Sequence, residues 1–583
     1  MSSDAQSRQT ESHPAAASQA WWQDAVVYQI YPRSFADSSG DGIGDLRGIL
    51  HQIDYISGLG IDAIWLNPIY DSPRYDEGYD VRDYYALDPV FGTWDDFYAL
   101  VHAFHERGIR VLMDLVVNHT SDHHEWFRSS ATDPAGPFGD FYIWRDGKDG
   151  GPPNNWDSFF GGPAWHYHEG RGQYYLHLFS KNQPDLNWEN PAVRQSIYRM
   201  MQWWCDQGID GFRMDVINMI SKDPALPDDT RELPDTAVRG RRYFENGPRL
   251  HEYMREMRQE VLEPYGIAAV GECPGADVEE ARALSDIDRS ELDMVLHMEL
   301  MEVDHGPGGK WDVRPWTVSD FARVIDRWQQ GLLGAAWPAN FLSNHDQPRA
   351  VSRFGDEAEY RRESAMLLAT LLFTLSGTPF VYYGEEIGML NGNYPSIEQY
   401  RDIDTLQYYE AELARGTPKD QVMAMVRYMS RDNARGPMQF DDSAYGGFSE
   451  SRPWIPVGPS HDTVNVAADL QSERSVYRFY QRMIGLRRQH RAFSHGWYVP
   501  LHPSAEQVMA YEKRLDGNRL LVVLNMGRGE AQCPTSELPE LSSAERAIGN
   551  YPPSSREADA AELRLRPFEA VVYRLTGAEP AGT

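Results

Sequence analysis

The stretch Gly208-Ile-Asp-Gly-Phe-Arg-Met-Asp-Val-Ile-Asn218 reads as an apolar strand that ends in two opposite charges, Arg213 and Asp215. On an extended backbone, residues two apart share a face, so the guanidinium and the carboxylate lie side by side. Such a neighbour favours the ionised acid and fixes its direction, which is what a carboxylate nucleophile needs. Buried Arg–Asp pairs also serve purely structural ends, so this segment alone leaves both roles open. What decides the fold is that the unit recurs. The helix expected over Ala192–Gln207 leads into this strand. Similar helices at Leu46–Leu59, Trp94–Arg107, Tyr243–Leu262, Val318–Gly331 and Ser364–Leu375 precede strands Asp62–Pro68, Arg110–Val117, Ile267–Glu272, Ala339–Asn344 and Thr378–Tyr383. With Ala25–Tyr31 at the start and Asp293–His297 between, eight short strands alternate with helices. That is the pattern of a closed parallel barrel, an α/β fold of the (β/α)8 TIM type.

Two long stretches interrupt the alternation. Residues 119–191 follow strand three and are rich in Gly, Pro, Trp and His; they are too long for a plain loop and are expected to form a small inserted domain over the barrel mouth. Residues 391–458 form a second, loop-rich excursion. The barrel thus takes 21–118 and 192–500. After the helix Val476–Gln489 the pattern turns to short alternating strands such as Arg519–Asn525 and Glu569–Leu575, a C-terminal β-sandwich over 501–583. Residues 1–20 read as a disordered tail without the apolar core of a signal peptide.

Composition narrows the partners. The chain has 583 residues and a formal net charge of −32, which argues against nucleic acid or an anionic membrane. No apolar run is long enough to span a bilayer. Three cysteines, Cys205, Cys273 and Cys533, provide no disulfide framework, and a cytoplasmic location is expected. The 17 tryptophans and 32 tyrosines suit either stacking on sugar rings or a large aromatic core.

Near the N-terminus, Asp37-Ser-Ser-Gly-Asp-Gly-Ile-Gly-Asp45 places oxygen-bearing side chains at alternate positions. Asp37, Ser39, Asp41 and Asp45, with the carbonyl of Ile43, form a candidate cage for a hard cation, calcium rather than magnesium for an all-protein site. The competing reading is an acidic turn held by hydrogen bonds alone. No organic cofactor is expected.

Functional groups of such barrels sit at the carboxyl ends of the strands. Those ends carry Asn118-His119, Arg213 with Asp215, Glu272, and Asn344-His345-Asp346. Three separated acids at one rim suit glycosidic cleavage, in which one attacks the anomeric carbon and another protonates the departing oxygen. An ionised Asp215 is expected to raise the pKa of Glu272, and its neutralisation in a glycosyl-enzyme to lower it again.

The segments Asp114-Leu-Val-Val-Asn-His119, Gly211-Phe-Arg-Met-Asp215, Val270-Gly-Glu-Cys273 and Phe341-Leu-Ser-Asn-His-Asp346 resemble, in order, the motifs of the α-amylase superfamily, glycoside hydrolase family 13. Gln183-Pro-Asp-Leu-Asn-Trp188 resembles a further motif of its oligo-1,6-glucosidase and α-glucosidase branch, as do Trp21-Trp-Gln-Asp24, the acidic turn and Ser430-Arg-Asp-Asn-Ala-Arg-Gly-Pro-Met-Gln439. The resemblance implies that Asp215 is the nucleophile, Glu272 the general acid/base and Asp346 the acid that stabilises the transition state. It gives His119, His345 and Arg213 the task of holding glucose hydroxyls or the nucleophile. Asp76 matches the acid at the far end of the terminal glucose, with Arg431 as its partner and Tyr79 as a stacking ring; Phe179 and Gln183 match further pocket residues. A charged pair at the back wall leaves room for a chain end only, which implies exo action.

Val216, directly after the nucleophile, resembles the isomaltose-cleaving members, whereas Thr or Ala marks maltose-cleaving ones. One such side chain supplies about 1–3 kcal/mol of discrimination, and plain core packing is its competing role. The implied activity is a retaining α-glucosidase favouring short α-1,6-linked substrates. The alternatives are an α-1,4-preferring or sucrose-acting α-glucosidase or transglucosidase and, from another class, a non-catalytic transporter-associated protein of the same fold. The last requires a membrane span and lacks the acids.

Overall fold

The computed structural model describes residues 20–575 apart from 235, 289–290, 540, 542–543 and 554–560. The expected N-terminal tail therefore lies outside the described residues, Ala20 excepted.

Eight parallel strands form the centre: β1 (Val27–Ile30), β2 (Ala63–Leu66), β3 (Arg110–Val116), β4 (Gly211–Asp215), β5 (Ala268–Cys273), β6 (Met294–His297), β7 (Ala339–Asn340) and β8 (Thr378–Tyr382). They pair in the order β6-β5-β4-β3-β2-β1-β8-β7. A single parallel bridge between Val295 and Pro338 joins β6 to β7 and closes the ring. Their apolar, β-branched residues are buried on both faces, as in a barrel wrapped by helices. The helices begin on strong caps. Thr93 and Asp96 form a reciprocal capping box on Trp94–Glu106, Thr317 and Asp320 do the same on Val318–Leu332, and Asn190 with Pro191 opens Pro191–Asp206.

Register brings the chemistry together. Val116 at the end of β3 stands opposite Asp215 on β4, and Gly271 on β5 opposite Met214. Asp215 and Glu272 therefore emerge from neighbouring strands at the same rim.

Three local expectations change. The helix expected over Tyr243–Leu262 is broken: a short turn Arg241–Phe244 is followed by Leu250–Met257, which continues as a wider π-type turn to Leu262. Asn246-Gly247-Pro248 causes the break, because Asn246 takes a φ of +52° and proline cannot continue a helix. β7 ends at Asn340, short of Asn344, where the chain turns out to display His345 and Asp346. The excursion over 391–458 is less loop-like than its composition suggests: it holds helices Ile403–Arg415 and Lys419–Met429 around a small core of Tyr394, Tyr400, Val422, Val426 and Ile455.

The insert after β3 carries a three-stranded antiparallel sheet of Trp144–Arg145, Gln173–Leu176 and Trp165–His168. Its core, built on Trp156, Trp165, Leu176 and Leu178, also takes in Val216 and Met219 from the loop after β4. The C-terminal sheet runs in the order β9 (Trp497–Leu501), β10 (Val508–Leu515), β11 (Asn518–Asn525), β13 (Ala570–Leu575) and β12 (Glu545–Gly549). A two-stranded sheet, Ala531–Pro534 with Glu562–Leu565, shares a core with its outer face.

Candidate active site

A cavity of about 850 Å³ opens at the carboxyl end of the barrel, and Asp215, Glu272 and Asp346 all line it. Directly behind its lining is Arg213, which is wholly buried. Its Nη1 donates to Asp114 (2.8 Å) and Asp215 (2.8 Å), and its Nη2 makes an ion pair with Glu272 at 2.7 Å. The guanidinium lies over the Trp65 ring, whose Nε1 donates to Asp114 in turn. One rigid cation thus orients two carboxyls on adjacent strands.

Burial pushes the Asp215 carboxyl well above its usual range; Arg213 opposes this, while the charges of Glu272 and Asp114 add to it.

Glu272 is fixed from a second side. The backbone N–H of Val216 donates to its Oε2 at 3.2 Å. Val216 reaches that position with a φ of +36°, a left-handed conformation that a β-branched residue rarely adopts. Its side chain is buried, borders the cavity and packs in the core of the insert, so its packing and site-lining roles coincide.

The inner wall is built from charge pairs. Arg431 Nη2 binds Asp76 (2.8 Å) and Asp402 (2.6 Å), its Nε also donates to Asp402, and Nη1 lies 3.4 Å from Asp346. Asp346 further accepts from Arg435 (2.7 Å) and stands 3.1 Å from His345 Nε2. Burial works to raise the Asp346 pKa, but His345, Arg431 and Arg435 overcome it and hold this acid well below the usual carboxylate range. It stays ionised with 27% of its side chain open to the cavity. Tyr79 lies flat against His345, ring centroids 5.2 Å apart, and its hydroxyl contacts His345 Nε2 and donates to Asp114. Gln183 donates to Asp76 and approaches His119, whose Nε2 also contacts the Tyr79 carbonyl. Burial lowers the His119 pKa against the pull of Asp185 and Asp76, which leaves a neutral ring. Phe179 packs against His119.

Of the residues singled out from sequence, Asp76, Tyr79, His119, Phe179, Asp215, Val216, Glu272, Asp346 and Arg431 border the cavity. Gln183, Arg213 and His345 are fully buried behind that surface and hold residues that form it. Sequence reasoning did not single out Asp114, Asp402 and Arg435. Asp114 and Arg435 lie inside quoted motifs, whereas Asp402 stands in the excursion with no pattern to mark it.

The acidic turn near the N-terminus is held by its own backbone. Asp37 accepts from the N–H groups of Ser39, Gly40 and Gly42 and from Ser449; Asp45 caps the helix Leu46–His51 and also accepts from Ser38. Asp41 accepts from the Ile43 N–H. Among the described residues, no group of three or more acidic, His or Cys side chains converges to hold a metal ion. The side chains expected to hold a cation thus already accept hydrogen bonds within the turn and from Ser449.

A (β/α)8 barrel with two carboxyls on adjacent strand ends, a third acid lining the same cavity and a charge-paired inner wall has the arrangement of a glycoside hydrolase. The family model for the α-amylase catalytic domain matches residues 29–496, and the chain belongs to that family. It is 50% identical to the oligo-1,6-glucosidase of Parageobacillus thermoglucosidasius over 559 residues, covering 95% of this chain and 99% of that protein. It is 43% identical to the trehalose-6-phosphate hydrolase of Bacillus subtilis strain 168, covering 95% and 98%. Among solved structures, isomaltulose synthase from Klebsiella sp. LX3 superposes with a TM-score of 0.91 at 39% identity, covering 96% of this chain and 100% of that one.

Proposed function

We propose that this enzyme is an exo-acting retaining α-glucosidase that releases the terminal glucose of short α-1,6-linked oligosaccharides. The observation that carries the reading is the Asp76–Arg431–Asp402 charge pairing beside Asp215, Glu272 and Asp346, which walls the inner end of the cavity and suits a chain end. Asp215 attacks the anomeric carbon while Glu272 gives its proton to the departing oxygen. Asp346, anionic among two arginines and a histidine, faces the positive charge that develops on the ring. Water then enters, Glu272 takes its proton, and the bond to Asp215 breaks with net retention. Both main carboxyls grip one guanidinium, which suits the separation of about 5–5.5 Å that this mechanism uses.

The α-1,6 preference is supported by Val216 beside the nucleophile and by the relatives named oligo-1,6-glucosidase. A phosphorylated disaccharide fits less well. The cations at the cavity mouth are each paired: Arg231 and Arg242 with Asp229, Arg241 with Glu245, and Lys310 with Asp404. The test is initial glucose release from isomaltose, maltose, sucrose and trehalose 6-phosphate, with the anomer of the product followed by polarimetry. Isomaltose is expected to lead severalfold with α-glucose formed first; maltose or sucrose leading would leave the mechanism and overturn the linkage. Isomaltulose formed from sucrose would mark glucosyl transfer instead.

A structural calcium at Asp37–Asp45 remains a proposal that rests on ligand types alone. Chelation that lowers the melting temperature, with bound metal found by elemental analysis, would support it; an unchanged melt with no metal would end it. The three free, buried thiols support a cytoplasmic setting. Among the described residues, no helix is long and apolar enough to cross a membrane.

A further inference from the structure

One charged cluster on the cavity has no part in the mechanism above. Arg241, Glu245, Glu280 and Glu302 all border the cavity on the side of Glu272. Arg241 opens the short turn after β4, and its Nε donates to Glu245 Oε1 at 2.8 Å while its guanidinium lies over the Phe159 ring. The Glu245 side chain is only 10% exposed, against 34% for Arg241. Glu302, from the turn after β6, presents a second carboxylate to the same guanidinium.

The pair is wedged against the loop that carries the proton donor. Gly275, three residues beyond Glu272, has a φ of +70°. A Cβ built there would collide with a Glu245 carboxylate oxygen and lie 3.1 Å from Arg241 Nη2. Glycine at this position is what lets the pair sit beside the place where the leaving group departs.

An exposed Arg–Glu pair four residues apart contributes only a few tenths of a kcal/mol to a helix, and this helix has a single turn. Local helix support therefore does not account for enclosing two charges in a substrate cavity. Their chemistry does: a guanidinium donates to, and a carboxylate accepts from, vicinal hydroxyls. Glu245 is hydrogen-bonded to the cation and Glu302 acts on it electrostatically, which makes the site a poor one for a phosphate.

We infer that Arg241 and Glu245 are specificity-determining residues that bind the departing sugar, selecting a neutral polyhydroxylated leaving group and placing its glycosidic oxygen under Glu272. The inference rests on the α-glucosidase reading above. Burial pushes the Glu245 carboxyl up to about 7, with Glu302 and Glu280 adding to it and Arg241 opposing. Glu245 thus loses its ionised, accepting form as pH falls through that value.

The experiment measures kcat and KM for isomaltose and for p-nitrophenyl α-glucoside, whose leaving group offers no sugar hydroxyls. It uses the wild type, Glu245→Gln and Arg241→Lys from about pH 6 to about pH 8. The isomaltose-to-nitrophenyl ratio of kcat/KM should fall about tenfold in both variants, through KM. In the wild type, KM for isomaltose should rise as pH falls through about 7. In Glu245→Gln that dependence should disappear. An unchanged ratio would overturn the inference. So would an equal fall on both substrates through kcat, since the pair would then only support Glu272. A wild type that prefers maltose removes the α-1,6 reading but not this one, because the maltose-to-nitrophenyl ratio then carries the same test. A wild type that cleaves no disaccharide overturns both.

Discussion

The two ends of the cavity are built from the same residue types and differ in how tightly these are held. At the inner end, Arg431 and Arg435 are 9% and 0% exposed, and the first is gripped by three carboxylates. At the mouth, Arg231, Arg241 and Arg242 are 34–42% exposed, and Arg231 and Arg242 share the single acid Asp229. Buried, fully paired charges have one low-energy arrangement, whereas half-exposed ones can shift with modest loss. The inner end therefore suits one sugar in one pose. The mouth is the part free to vary, in keeping with relatives that share this barrel and differ in the substrates their names declare.

That contrast predicts a gradient of mutational effects. Asp215→Asn should lower kcat by a factor on the order of 10⁴ or more, read as glucose release under saturating isomaltose. It should also raise the melting temperature at neutral pH. Because the Asp215 carboxyl is held above its usual range, ionising it in the folded protein costs stability as pH rises beyond the ordinary carboxylate range, and asparagine removes the cost. A lower melting temperature at every pH would contradict this sign.

Next in size is Arg431→Ala, which leaves Asp76 and Asp402 enclosed without their cation. Breaking such a buried pair costs about 3–5 kcal/mol, and kcat/KM should fall by at least about 100-fold. A loss no larger than that at Arg231 would erase the distinction between the two ends. Val216→Thr should move the isomaltose-to-maltose ratio by about tenfold at most while the nitrophenyl substrate reports the state of the catalytic acids. Arg231→Ala removes a half-exposed guanidinium whose partner Asp229 keeps Arg242 and the Gly240 N–H, and should change kcat/KM by less than about fivefold for any disaccharide.

The barrel and its acids were legible because their signals are local. Alternating strands and helices show as periodicity, and Asp215 and Glu272 sit at strand ends that periodicity locates, while Asp346 lies in the turn that follows β7. The supporting charges were not. Asp402 meets Arg431 only because the excursion folds back over the barrel, a contact with no counterpart in spacing. Glu245 stands four residues from Arg241, a pairing visible in sequence, yet the long helix expected there hid the turn that aims both into the cavity. Asn246-Gly247-Pro248 was the available signal for that turn. Gln183 and His345 were placed with the lining residues because a motif gives identity without depth; their complete burial behind Asp76 and Tyr79 is set by packing.

Val216 ties the proton donor to the insert that packs against the loop after β4. Its left-handed backbone is one the chain does not choose unaided, and the core of the 119–191 insert closes over its side chain. The amide that holds Glu272 is thus braced from outside the barrel: the insert's core steadies one side of the proton donor while Arg213 steadies the other, so a substitution in that core can reach the acid without touching the cavity.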